Sequence, residues 1–83
     1  MEKPEDIKFP VFRKYNNNQR YYRIISKREL EEIQIIGSRK IKHALLAQQL
    51  PEIHLINDLI FNYSSYATAI TEEEYQRIAA DIL

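Results

Sequence analysis

Apolar and polar positions change period along the chain, with strand-like stretches near 10–25 and 39–48 and helical spacing at 26–36 and 72–82. Val11-Phe12-Arg13-Lys14-Tyr15 and Arg20-Tyr21-Tyr22-Arg23-Ile24-Ile25 are rich in β-branched and aromatic residues, the types that favour strands. Asn16-Asn17-Asn18-Gln19 lies between them. Asparagine tolerates the left-handed backbone of tight hairpin turns. Residues 10–25 therefore read as a β-hairpin. A turn centred on Asn17-Asn18 pairs Tyr15 with Arg20, Arg13 with Tyr22 and Val11 with Ile24. One face then carries Val11, Arg13, Tyr15, Arg20, Tyr22 and Ile24, and the other Phe12, Lys14, Tyr21, Arg23 and Ile25. Neither face is cleanly apolar, so the pattern does not choose the buried one.

Residues 26–36 read as a helix. Ser26 precedes Glu29 by three residues, the spacing of a capping box. Leu30, Ile33 and Ile36 keep helical spacing, and Gly37 sits where a left-handed residue ends a helix. Residues 39–48 read as a strand, with Ile41, His43, Leu45 and Ala47 alternating against Lys40, Lys42, Ala44 and Leu46. Residues 51–62 fit two patterns. Ile53, Ile56, Ile60 and Tyr63 suit a helix, and Ile53, Leu55, Leu59 and Phe61 suit a strand. Pro51 favours a helix start, and Asn57-Asp58 would interrupt a core strand. Residues 66–70 leave room for a short extra strand.

Residues 72–82 read as a second helix. Thr71 caps it and Glu74 completes a capping box. Glu72, Glu73 and Glu74 crowd the first turn, where the helix dipole favours negative charge. Tyr75, Ile78 and Ile82 form its apolar stripe. The run from Ile25 to Ile33 echoes the run from Ile70 to Ile78, as any capped helix following a strand would. The whole predicts an α+β domain: a small antiparallel sheet, formed by the N-terminal hairpin and a third strand, packed against two or three helices. Residues 1–9, where Pro4 and the following Pro10 bracket charged residues, are expected to form a flexible lead-in, and residues 10–83 the single domain.

Composition narrows the functional classes. Eighty-three residues without cysteine exclude disulfides, thiol chemistry and cysteine-ligated zinc. The single glycine, Gly37, excludes the glycine-rich loops that cradle nucleotide phosphates and the glycine-flanked nucleophile elbow. No apolar run is long enough to span a membrane. The start, Met1-Glu2-Lys3-Pro4-Glu5-Asp6, lacks the apolar stretch of a secretory signal. The expectation is a cytoplasmic protein with no membrane partner and no cofactor.

Charge is balanced overall but unevenly placed. Residues 1–50 hold eleven basic and six acidic side chains, and residues 51–83 hold one basic and six acidic. Lys8, Arg13, Lys14, Arg20, Arg23, Lys27 and Arg28 fall in a stretch without an acid. Tyrosines interleave with them, so Arg13, Lys14, Tyr15, Arg20, Tyr21, Tyr22 and Arg23 form the candidate binding surface. Cations hold phosphates while rings stack on bases in single-stranded nucleic-acid sites. The same residues equally serve a hairpin, through Arg13–Tyr22 and Lys14–Tyr21 cation–π pairs, cross-strand packing and a charged edge that resists aggregation. The acidic second half offers a complementary end for a charged protein partner or a second copy, and its glutamates equally serve their own helix end.

Catalytic chemistry finds no support. His43 and His54 lie on different elements, without a third ligand at metal-binding spacing. Glu31 and Glu32 fall on exposed positions of the predicted helix. No serine or threonine has a base at recognisable spacing. Three segments, Tyr21-Tyr22-Arg23-Ile24-Ile25-Ser26, Glu32-Ile33-Gln34-Ile35-Ile36-Gly37-Ser38 and Ile70-Thr71-Glu72-Glu73-Glu74-Tyr75, resemble short single-domain proteins of the Bacteroidetes to which no activity is attached. The resemblance implies no site residues. The sequence thus points to a small non-enzymatic protein-interaction or accessory domain, with a protein partner or a homodimer. The alternative is a nucleic-acid-binding module using the hairpin at 11–25.

Overall fold

Four consecutive strands, a helix, a fifth strand and a final helix follow one another in the computed structural model, which describes residues 7–80 and 82. They are β1 (Val11–Tyr15), β2 (Arg20–Ser26), β3 (Glu29–Ile36), β4 (Arg39–Leu46), α1 (Leu50–Phe61), β5 (Ala67–Ala69) and α2 (Glu72–Ala79). The sheet is antiparallel throughout, in the order β4-β3-β2-β1-β5. The architecture is a small α+β fold. The flexible lead-in expected at 1–9 falls mainly on residues 1–6, outside the described residues. Ile7 and Phe9 pack against the core beneath α1.

The first hairpin has the register read from the sequence, with Val11 opposite Ile24 and Arg13 opposite Tyr22. Asn18 takes the left-handed conformation (φ 61°), and its amide donates to the Tyr15 carbonyl at 2.8 Å.

The helix expected at 26–36 is not formed: residues 29–36 are strand β3. Its i, i+3 apolar spacing comes from a strand buried on both faces. Leu30 points with Ile24 into one layer, while Ile33 lies opposite Tyr21 and points into the other. The Ser26 hydroxyl accepts from the Arg28 amide at 3.2 Å, one residue short of the capping-box partner. It closes a turn rather than a helix. Gly37, read as a helix end, instead opens the two-residue turn between paired Ile36 and Arg39. Its φ of +60° is what such a hairpin turn needs at its first position. No atom lies within 4 Å of a Cβ built there, so Gly37→Ala meets no clash. It is expected to cost about 1–2 kcal/mol from backbone strain alone. Chemical denaturation would measure that, and an unchanged midpoint would contradict the assignment.

α1 and α2 cover opposite faces of the sheet. Ile56, Leu59 and Ile60 of α1 meet Tyr22, Ile24 and Leu30 on the first face. Tyr75 of α2 meets Phe12, Tyr21 and Ile33 on the second. Each large apolar side chain so buried contributes about 1.5–3 kcal/mol. Two covered faces explain why adjacent Tyr21 and Tyr22 are both buried and why neither hairpin face reads as cleanly apolar. At α2 the Thr71 hydroxyl accepts from the Glu74 amide at 3.1 Å. The Glu74 carboxylate reaches sideways to Lys14 at 3.4 Å.

Candidate functional site

The seven hairpin residues do not form one surface. Arg13, Tyr15, Arg20 and Tyr22 lie on the α1 face, and Lys14, Tyr21 and Arg23 on the α2 face. Tyr21 and Tyr22 are core residues, so their rings cannot stack on bases without opening a layer. Tyr15 is half-buried, 5.3 Å from the ring of Tyr22 and 5.7 Å from that of Tyr66. Arg13 runs beneath the end of α1. Its Nε donates to the Leu59 carbonyl at 2.9 Å, and its guanidinium lies 4.0 Å from the centre of the Tyr63 ring. Its cation–π partner is therefore Tyr63 rather than its strand neighbour Tyr22.

The remaining hairpin cations are paired through three carboxylates: Lys14 through Glu74, and Arg20 and Arg23 through the neighbouring Glu32 and Glu31. Glu32 accepts from Arg20 at 2.7 Å and from the Tyr22 hydroxyl at 2.9 Å. On the other face Glu31 receives the Tyr75 hydroxyl at 3.4 Å, with Arg23 at 3.6 Å and Lys42 at 3.7 Å. Glu31 and Glu32, expected on an exposed helix, are instead half-buried, one per face. Alternation along a strand, rather than helical rotation, separates these adjacent residues.

Burial, more than any other cause, raises the ionisation of Tyr22 and Tyr75 well above the ordinary tyrosine range. Next come a hydrogen bond to Tyr15 for Tyr22 and the negative charge of Glu31 for Tyr75. The fold holds the neutral phenol, so its folded pKa exceeds the unfolded value. That contribution to stability is complete below pH about 10 and is lost as the pH climbs further. In an alkaline titration followed by tyrosinate absorbance and circular dichroism together, two tyrosines should ionise only as ellipticity collapses. Ionisation of all six with ellipticity intact would contradict this.

Once the hairpin is closed off, a backbone edge stays open at β4 among the described residues. This eight-residue strand ends the sheet and pairs only with β3 among the described residues. The Ala47 amide donates to the Arg28 carbonyl at 2.6 Å. Hydrogen-bonded and non-bonded pairs alternate along an antiparallel ladder, so Leu45, His43 and Ile41 turn their backbone groups inward. Lys42, Ala44 and Leu46 turn theirs outward. β5, at the opposite edge, has only three residues.

Side chains divide β4 lengthwise. Beside the Gly37 turn stand Arg39, Lys40 and Lys42. Arg39 makes no ion pair with another described residue. Lys40 reaches the Ile78 carbonyl at the end of α2, at 3.5 Å. At the other end stand Ala44, Leu45 and Leu46. Leu46 is 59% exposed, and Leu50, at the start of α1, is 67% exposed. Composition pointed to the hairpin, but β4 was hidden as an edge because strand order is not written in the sequence. Its lysines, the commonest edge residues, were the one available signal.

His43 and His54 are both exposed, on β4 and α1. No group of three or more His, Asp or Glu side chains among the described residues could hold a metal ion. No helix among them is long and apolar enough to cross a membrane. No protein-family model, curated protein or solved structure matches the chain.

Proposed function

We propose that this chain is a protein-interaction domain that captures an extended segment of another protein as a sixth strand beside β4. The supporting observation is the eight-residue edge with an outward row of backbone groups at Lys42, Ala44 and Leu46. An added strand gains main-chain hydrogen bonds from such a row and specificity from alternate side chains. The sheet behind it is rigid, since helices cover both of its faces, so little ordering is lost on binding. The basic hairpin supplies scaffold: its cations are tied to Glu31, Glu32, Glu74 and the end of α1.

Panning a display library of short random peptides tests this reading. Recovered peptides should bind the wild-type chain and lose binding to Ala44→Pro, which removes one outward donor. Peptides that bind Ala44→Pro as well as wild type would show that another surface does the work.

A further inference from the structure

We infer that the strand accepted by β4 is bipartite, acidic where it runs beside Arg39–Lys42 and apolar where it runs beside Ala44–Leu46. This inference rests on strand addition at β4 and names the chemistry of the partner. The cations lie at one end of the edge and the exposed apolar side chains at the other. Cross-strand neighbours of opposite charge attract, and like charges directly opposite repel. Lys42 is half exposed, and its ammonium, 3.7 Å from Glu31, has three donors to distribute. Arg39 is exposed and makes no ion pair among the described residues. A carboxylate opposite this end would meet the exposed ammonium of Lys42, with the Arg39 guanidinium close by. An apolar side chain opposite the other end would cover Leu46.

The same charges disfavour a second copy in the register where cations meet directly. Backbone alternation lets β4 pair with itself only where outward residues face outward residues. Centred on Lys42, that pairing sets two ammonium groups opposite each other. Centred on His43, it sets the two imidazoles opposite each other. In both registers Arg39 and Lys40 of one strand run beside residues 44–47 of the other, so like charges meet directly only at Lys42 in the first. An acidic strand removes the conflict that a basic one creates. Every pairing in this sheet is antiparallel. In that sense the partner reads apolar first and acidic second along its own chain.

The test is an NMR titration of the full chain with two synthetic peptides. One has the order Val-Thr-Val-Thr-Glu-Thr-Glu, and the other carries lysine in place of both glutamates. The acidic peptide should shift and protect the amides of Lys42, Ala44 and Leu46, and should bind about tenfold more tightly than the lysine peptide. Lys42→Gln should narrow that gap to about threefold. Equal protection of the three amides by both peptides would overturn the acidic preference and leave strand addition standing. No protection by either peptide would overturn both. Protection that grows with protein concentration, without any peptide, would identify a second copy as the occupant and overturn this inference.

Discussion

Tyr22→Ala is expected to lower the thermal midpoint by about 12 °C or more. Tyr22 is 1% exposed and belongs to the cluster that joins the sheet to Ile56, Leu59 and Ile60 of α1. Truncating a buried aromatic side chain costs about 3–5 kcal/mol, because the cavity refills only in part. In a domain of this length each kcal/mol moves the midpoint by about 4–8 °C. Total stability for a chain of this length is roughly 4–12 kcal/mol, so the variant approaches the unfolding threshold. The Tyr15 ring, 5.3 Å away, loses its partner, and Glu32 keeps only Arg20 of its two donors. Tyr22→Phe separates the ring from the hydroxyl. It retains the packing and should cost about 1 kcal/mol for one hydrogen bond. Thermal denaturation followed by circular dichroism measures both. Similar midpoints for Tyr22→Ala and Tyr22→Phe would mean that the ring is not a core element.

The second large effect separates two neighbouring prolines. Leu45→Pro should destabilise the fold, while Ala44→Pro should leave it intact and abolish strand capture. Leu45 lies opposite Leu30 and turns its amide toward β3. Proline there deletes a ladder bond and leaves a buried carbonyl unmet, costing about 1–3 kcal/mol before any steric clash. The Ala44 amide faces outward, where an edge strand tolerates proline. Its stability should change by no more than about 0.5 kcal/mol. An incoming strand would lose an essential donor and meet the ring, weakening binding by at least about tenfold. Denaturant midpoints and peptide affinities for the two variants check this. Equal destabilisation by both prolines would mean that β4 is not an open edge with this alternation.

Local signals in the sequence agree with the structure at three element ends. Three asparagines placed the first turn and, through it, the register of the whole hairpin. Pro51 distinguished helix from strand at α1, whose first turn it occupies. Thr71 marked the start of α2. The failure at 26–36 came from two signals with two uses each. A serine three residues before a glutamate caps a helix at best and closes a turn at least, and Ser26 does the latter. Thr71, at the same spacing, caps. Local chemistry alone cannot separate them. What decides is the neighbouring strand: β2 has an open side at Arg20–Ser26, and Glu29–Ile36 fills it.

The candidate site was harder to read for a related reason. A basic, tyrosine-rich stretch looks like a surface only if its rings are exposed. That depends on Phe12 meeting Tyr75 from a helix sixty residues later, with ring centres 5.4 Å apart. Glu31 and Glu32 looked solvated because a helix was expected there. In a strand they alternate, and each neutralises cations on its own face. With those cations engaged, the exposed Arg39 at the end of β4 makes no ion pair among the described residues. The alternating pattern of β4 was legible, but its place at the end of the sheet was not.

Amide-resolved hydrogen exchange of β4, with and without the apolar-then-acidic peptide, tests strand addition most directly. In the protein alone, Lys42, Ala44 and Leu46 should exchange rapidly while Ile41, His43 and Leu45 are protected. With peptide, the three outward amides should become protected as well, erasing the alternation. Alternation in the protein alone that persists unchanged at saturating peptide would contradict capture at β4.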